Sequence, residues 1–236
     1  DSSARGNRSQ KGSLIACFDV QLDEKGCLAS ARRIREEEAA EGSKWYAYVE
    51  TPNESPWYNG QTYVNTLDKE AMRRFIEVTY ERYLDTVGED FGKRVPAIFT
   101  DEPQFTRKQT LGFAQDKNDV ALPWSDDLPD TFRAAYGEDL VEHIPELFWE
   151  LPEGVSTVRY HYHDHVCERF TQSFADQCGS WCEDHGLMLT GHMMEEPTLQ
   201  SQTAALGEAM RSYRSFQLPG IDMLCDFHEY TTAKQT

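Results

Sequence analysis

Hydrophobic residues recur every three or four positions along three segments of the chain, which is the spacing that places side chains on one face of an α-helix. The segments are about 68–87, 158–185 and 198–213. Gly88 and Gly186 follow the first two, and glycine is the common residue just beyond the end of a helix. The pattern therefore predicts three helices, each with one apolar face.

Three short apolar runs lack the alternation of a half-buried strand. They are "VPAIF" (95–99), "LMLTG" (187–191) and "GIDML" (220–224). Strands of this kind between helices are typical of parallel α/β sheets that are buried on both faces. No GxGxxG follows a strand, so a dinucleotide-binding fold has no support. Polar residues follow the strand ends, which favours a (β/α)8 (TIM) barrel. Because fewer than eight strands can be counted, we expect a partial barrel.

The first part of the chain has a different pattern. Residues 13–34 alternate weakly around the turn signal at 23–26, which predicts a β-hairpin, and 44–50 reads as another strand. We therefore expect residues 1–62 to form a polar arm and a small β-rich insertion. Residues 63–236 are expected to form the central part of a catalytic barrel, incomplete at both ends.

Charge and composition narrow the classes of partner. The chain of 236 residues is 39% hydrophobic and has a net charge of −18, so it should repel nucleic acids and anionic membranes. Neutral substrates, cationic groups and metal ions remain open. The chain begins at Asp1 without a signal-like apolar segment, and we expect a processed or truncated product. Of six cysteines, Cys178 and Cys182 share one helix face, which predicts buried free thiols.

The first candidate for chemistry is "TDEP", where Asp101 and Glu102 end the first apolar strand. Carboxylates at that end of a barrel strand lie at the mouth where such folds carry their active sites. Glu102 has the longer side chain and is our candidate general acid, with Asp101 as its catalytic neighbour. The alternative is that Asp101 only caps a turn and Glu102 is solvated.

The second candidate region is "TGHMMEEP", which follows the second apolar strand. A histidine at a strand end can contact substrate, although a structural histidine is an equal alternative. Pro197 opens the next helix, so a glutamate before it could instead be a neighbour of the helix cap. Five residues are our candidates for substrate contact: His192, Glu195, Glu196, Trp124 and Asp222.

The histidines of "YHYHDHV" suggest a metal site at first sight. On a helix, His161 and His165 share a face while His163 lies off it, so the three cannot converge on one ion. We therefore predict no metal ligands in this segment.

Several longer motifs in this order resemble the catalytic barrel of bacterial glycoside hydrolases of family 106, the α-L-rhamnosidase-like group. They are "FGKRVPAIFTDEP", "LPW", "WCEDHGLMLTGHMMEEPTLQSQ" and "PGIDML…YTTAKQ". The resemblance implies that Glu102 is the acid, that His192 contacts sugar, and that a further carboxylate lies beyond Thr236. It also makes calcium a possible ligand, and it implies that this chain alone is inactive.

The sequence thus predicts a glycoside hydrolase acting on a polysaccharide or oligosaccharide, with an α-L-rhamnosidase as the finer assignment. Its expected partner is a carbohydrate, with no nucleic acid, no membrane and no cofactor. One alternative is a metal-dependent hydrolase that uses His192, Asp101 and a glutamate and holds zinc or manganese. The other is a sugar-binding fragment without catalysis.

Overall fold

The computed structural model describes residues 12–223 and 230–236. Within these residues the chain divides into two compact units. Unit 1 holds the residues up to Tyr63 together with Gln109–His163, and unit 2 holds Val64–Lys108 and Asp164–Thr236.

Helices and strands alternate irregularly along the described residues. The strands are β1 (Ser13–Leu22), β2 (Leu28–Ile34), β3 (Ser43–Val49), β4 (Ala97–Asp101), β5 (Met188–His192) and β6 (Leu218–Pro219). The helices are α1 (Lys69–Val78), α2 (Tyr80–Val87), α3 (Leu128–Tyr136), α4 (Thr157–Phe170), α5 (Gln177–Asp184), α6 (Leu199–Ala205), α7 (Ala209–Tyr213) and α8 (Tyr230–Gln235). No helix among the described residues is both long and apolar enough to cross a bilayer.

Unit 1 contains an antiparallel sheet with strand order β2-β1-β3. The Asp23 carboxylate accepts hydrogen bonds from the backbone N–H of Lys25 (2.9 Å) and Cys27 (2.8 Å), which closes the turn between β1 and β2. Phe18 packs in the core of this sheet, where the Trp45 and Trp149 rings meet edge to face at 5.1 Å. The predicted hairpin and the strand after it are confirmed.

The first helix of unit 2 begins where the sequence predicts. The Asp68 carboxylate accepts hydrogen bonds from the N–H groups of Glu70 (2.8 Å) and Ala71 (3.2 Å) and caps α1. The predicted single helix is, however, interrupted at Thr79. Its hydroxyl donates to the carbonyl of Phe75 at 2.5 Å, a contact that bends helices. Helix α2 starts at the next residue.

The other two predicted helices are also interrupted. The segment predicted at 158–185 contains α4, a π-helical stretch at Thr171–Asp176 and α5. The segment predicted at 198–213 forms α6 and α7, which are separated by Leu206, Gly207 and Glu208. The apolar spacing locates these helices correctly but does not show where they break.

Unit 2 contains a parallel sheet with strand order β4-β5-β6, and β6 has only two residues. The described residues form two separate three-stranded sheets and no barrel, so the prediction of a partial (β/α)8 barrel is wrong. Its basis was the order of helices and parallel strands, which any open parallel sheet shares. The strand predicted at 220–224 is not found at Ile221–Met223, and Leu224 lies outside the described residues.

The parallel sheet is buried on one face only. Leu189 of β5 is fully buried, whereas Phe99, Met188 and Leu218 on the opposite face are 63%, 36% and 52% exposed. The expectation that these strands are buried on both faces is therefore wrong. Apolar residues on successive positions cannot show which face of the sheet meets water.

The cysteines of α5 are placed as predicted. Cys178 and Cys182 are free and fully buried. Burial raises the pKa of Cys178 to about 12 and that of Cys182 to about 11, because a thiolate is poorly solvated there. Cys225 lies outside the described residues.

Candidate functional site

The candidate site lies where β4 and β5 end in unit 2. The strands run parallel and in register, which places Asp101 beside His192 and Thr100 beside Gly191. Gly191 has a φ of +128°, and a Cβ at this position would lie 1.9 Å from the Thr100 carbonyl oxygen. Only glycine permits this close approach of the two backbones, so Gly191 sets the spacing at the strand ends.

The backbone of Glu102 is held in an unusual conformation. Its φ is +49°, in the left-handed region that costs a non-glycine residue about 1 kcal/mol. The Glu102 N–H donates to the carbonyl of His192 at 3.1 Å, which fixes this turn against the end of β5. Strained backbone of this kind is concentrated at functional sites, where the surrounding structure holds it.

The Glu102 carboxyl lies among other ionisable groups and is partly buried. Burial raises its pKa above the ordinary value, and the neighbouring negative charge of Asp101 raises it further. His192 lowers this pKa, while Asp222 and Glu196 raise it by smaller amounts. The environment as a whole favours the protonated acid.

His192 is 9% exposed, and its two ring nitrogens have different surroundings. Its Nε2 lies 3.2 Å from the Asp101 Oδ1, a distance at which the two side chains form an ion pair when the ring is protonated. Its Nδ1 is buried and has no hydrogen-bond partner among the described residues. An unsatisfied buried polar atom costs about 1–3 kcal/mol, and such an atom in a native site calls for an explanation.

A third carboxylate approaches from the segment after β6. One oxygen of Asp222, one oxygen of Glu102 and one ring nitrogen of His192 all lie within 4.8 Å of one another. The structure thus brings together four of the predicted site residues, because Asp101 contacts His192 directly.

The glutamates after β5 have different surroundings. Glu195 has a φ of +58° and forms an ion pair with Arg107. Glu196 is 4% exposed and accepts hydrogen bonds from the Met193 N–H (3.0 Å), the Tyr213 hydroxyl and the Asp222 N–H (3.2 Å). These are the contacts of a residue that holds the backbone around the site, and Asp222 is one of the groups it holds.

Trp124 is the remaining sequence candidate. Trp124 belongs to unit 1, on the irregular segment before α3, and is half-buried. His161 pairs through Nδ1 with Glu138 Oε2 at 3.0 Å. In the described part of the chain, no group of potential metal ligands includes a histidine of the "YHYHDHV" segment.

Sequence reasoning missed Phe99. This residue is 63% exposed, and its ring meets the His192 ring edge to face with centroids 5.6 Å apart. Successive strand residues point to opposite faces, so Phe99, two positions before Asp101, shares a face with it. That spacing was the available signal, but the strand was interpreted as buried on both sides.

Comparisons with known proteins give little further information. No protein family model and no curated protein sequence matches the chain. Among solved structures, a rhamnosidase from Novosphingobium sp. PP1Y is similar, with 17% identity and a TM-score of 0.47. The similarity covers 66% of this chain and 14% of that chain, so the match spans a small part of the rhamnosidase.

Proposed function

We propose that unit 2 carries a glycoside hydrolase site in which Glu102 is the general acid. The observation that carries this proposal is the placement of Glu102 at the end of β4. A strained turn bonded to His192 holds its backbone, and its carboxyl lies partly buried near Asp101 and Asp222. Glycoside hydrolysis requires a carboxylic acid that can give its proton to the leaving oxygen of the sugar.

The surroundings of Glu102 suit this role. An acid catalyst must still hold its proton near neutral pH, and burial together with adjacent negative charge has this effect on a carboxyl group. Both are found at Glu102, and both raise its pKa. Asp101 therefore contributes in two ways, as the charge next to Glu102 and as the carboxylate beside the His192 ring.

The surface beside the acid suits a sugar. Sugar-binding and other small-molecule sites combine apolar or aromatic surface with a few placed polar groups. The exposed ring of Phe99 supplies apolar surface next to His192, and Asp101 is 79% exposed at the same strand end. In this proposal Phe99 contacts one face of the sugar ring, while Asp101 and His192 contact its hydroxyl groups.

In this proposal Asp222 raises the pKa of Glu102 and is not the second catalytic carboxylate. Its carboxylate lies within 4.8 Å of the Glu102 carboxylate. The two catalytic carboxyl groups stand about 5–5.5 Å apart in retaining enzymes and about 6.5–9.5 Å apart in inverting enzymes, and both separations exceed the 4.8 Å limit for this pair. In our proposal Asp222 therefore keeps Glu102 protonated and contacts substrate, and Glu196 positions Asp222 through its backbone N–H.

The proposed substrate is a neutral glycoside. We propose an α-L-rhamnoside as the first substrate to test, because the sequence motifs around Glu102 and His192 resemble the rhamnosidase-like group. A neutral sugar is also compatible with the net charge of −18, which would repel an anionic substrate.

Because the sequence resemblance implies that this chain alone is inactive, the test is hydrolysis of a panel of glycosides by the full-length enzyme and by its Glu102→Gln variant. The variant should lose about 10²–10⁴-fold in kcat/KM on an alkyl glycoside, which is the usual contribution of general acid catalysis. Glu183→Gln is the matched control, because Glu183 is exposed at the end of α5 in the same unit. Equal activity of the two variants would remove Glu102 from the mechanism. Sugar binding without turnover by the unmodified protein would support the alternative of a binding protein.

A further inference from the structure

The residues Glu102, His192 and Asp222 form a cluster of potential metal ligands, with all three ligand atoms within 4.8 Å of one another. They come from three separate segments: the turn after β4, the end of β5 and the stretch after β6. Their approach is therefore a product of the fold and not a run of acidic residues in the sequence. The cluster lies in the described part of unit 2.

The state of His192 is an independent observation that points to a ligand. The side chain is buried, and its Nε2 lies 3.2 Å from the Asp101 Oδ1. A neutral imidazole that donates at Nε2 carries a lone pair at Nδ1, and this Nδ1 is buried with no hydrogen-bond partner among the described residues. Histidine ligands of metals are commonly arranged in this way, with the second ring nitrogen donating to a carboxylate.

We propose that Glu102, Asp222 and the Nδ1 of His192 bind a divalent transition metal of the zinc class, and that Asp101 orients the imidazole. One nitrogen and two carboxylate oxygens suit Zn²⁺ and similar ions, which bind histidine nitrogen at about 2.0–2.1 Å and leave a fourth position for water. Calcium takes six to eight oxygen ligands, so the calcium that the sequence resemblance allows does not fit this set.

Binding requires a small movement of the two carboxylates. Ligand atoms around a tetrahedral Zn²⁺ lie about 3.3 Å apart, closer than the 4.8 Å limit of this cluster. Glu102 and Asp222 are only partly buried, so rotation of their side chains can close this distance. Binding releases the proton that Glu102 holds, because a carboxyl ligand must be deprotonated, and the dication then offsets the charges of Glu102 and Asp222.

The inference goes beyond the proposed glycoside hydrolase and does not depend on it. The two share Glu102, so a bound metal occupies the carboxylate that the proposed acid step needs. We therefore expect zinc to inhibit hydrolysis, not to support it. Metal binding is measured without any substrate, so failure of one proposal is distinguishable from failure of the other.

The experiment is a titration of metal-free, untagged protein with Co²⁺, followed by its visible absorption, and with Zn²⁺ by calorimetry. We expect one Co²⁺ per chain, displaced by Zn²⁺. His192→Gln and Asp222→Asn should each weaken binding at least tenfold, and Asp101→Asn should weaken it about 10–100-fold, as loss of an orienting carboxylate does. Glu183→Gln should bind as the unmodified protein does.

Three results would overturn the proposal. The first is absence of Co²⁺ and Zn²⁺ binding by the metal-free protein. The second is binding that survives unchanged in both His192→Gln and Asp222→Asn, which would place the ion elsewhere. The third is calcium binding tighter than cobalt binding, which would contradict the argument from the nitrogen ligand. If His192→Gln does not fold, the partly exposed Asp222 still provides the test.

Discussion

Lys108 is a buried amine whose charge should make the stability of unit 2 depend on pH. The residue is 7% exposed, lies near Cys167, and its Nζ stands 4.9 Å from the centre of the Phe105 ring. Burial lowers the pKa of Lys108 from 10.5 to about 7, because the charged ammonium group loses its hydration. Lys108→Met keeps a side chain of similar length and removes the charge.

The size of the effect follows from this pKa. The unfolded chain binds a proton at Lys108 as the pH falls through 10.5, while the folded chain binds it only near pH 7. Stability therefore falls as the pH drops from 10.5 to 7, and below pH 7 the cost is complete. At 1.36 kcal/mol per pKa unit, the cost at pH 7 is about 4 kcal/mol. This cost is the part of the stability that depends on the Lys108 charge, so Lys108→Met should lack a pH-dependent loss of about 4 kcal/mol, whatever the other contacts of the side chain contribute.

The assay must report on unit 2 alone, since the chain has two compact units. Trp181 is the tryptophan of unit 2, and the other four belong to unit 1. Urea unfolding of 5-fluorotryptophan-labelled protein, followed by the ¹⁹F resonance of Trp181, therefore measures the right transition. Its assignment comes from Trp181→Phe. Lys117→Met is the matched control, because Lys117 is exposed.

The free energy of unfolding, measured at a series of pH values, separates the effect of the buried Lys108 charge from other effects of the substitution. The unmodified protein should lose stability between pH 10.5 and 7, and Lys108→Met should lack this component. Lys117→Met should retain it. A Lys108→Met protein whose stability follows the same pH profile as that of the unmodified protein would refute the reasoning.

Two further predictions concern the strand ends and the thiols. Gly191→Ala should lower the free energy of unfolding by about 3 kcal/mol or more, since its Cβ would lie 1.9 Å from the Thr100 oxygen. Gly186→Ala is the control, because Gly186 has open space around it, and it should lose only about 1 kcal/mol. Similar urea midpoints for both variants would contradict this prediction. Cys178 and Cys182 should react with a thiol reagent at pH 8 only after unfolding, because burial raises the pKa of both. Rapid labelling of the folded protein at both positions, located by mass spectrometry, would show that the placement is wrong.

Local features of the fold could be read from the sequence. The cap at Asp68 and the turn closed by Asp23 depend on residues within a few positions of one another, and both are found. The break at Thr79 was missed, because helix spacing continues across it. Closure of a sheet depends on pairing between distant strands, which short apolar runs do not specify. The barrel prediction failed for that reason.

The site was partly predictable for a similar reason. Parallel strands end at the same edge of a sheet, so residues after two such strands lie near each other, as Glu102 and His192 do. The different surroundings of Glu195 and Glu196 could not be predicted from the sequence. They depend on a positive φ at Glu195 and on buried hydrogen bonds at Glu196. The exposure of Phe99 depends on what covers the sheet, and the strand sequence does not contain that information.

The role of Glu102 as the general acid is tested most directly by varying the leaving group of the substrate. For a series of aryl and alkyl glycosides, log(kcat/KM) is plotted against the leaving-group pKa for the unmodified protein and for Glu102→Gln. A general acid makes the rate nearly independent of this pKa, so the unmodified protein should give a shallow slope. Glu102→Gln should give a steep negative slope, with near-normal rates only on the most activated aryl glycoside. Parallel lines for the two proteins would contradict the assignment of Glu102 as the proton donor.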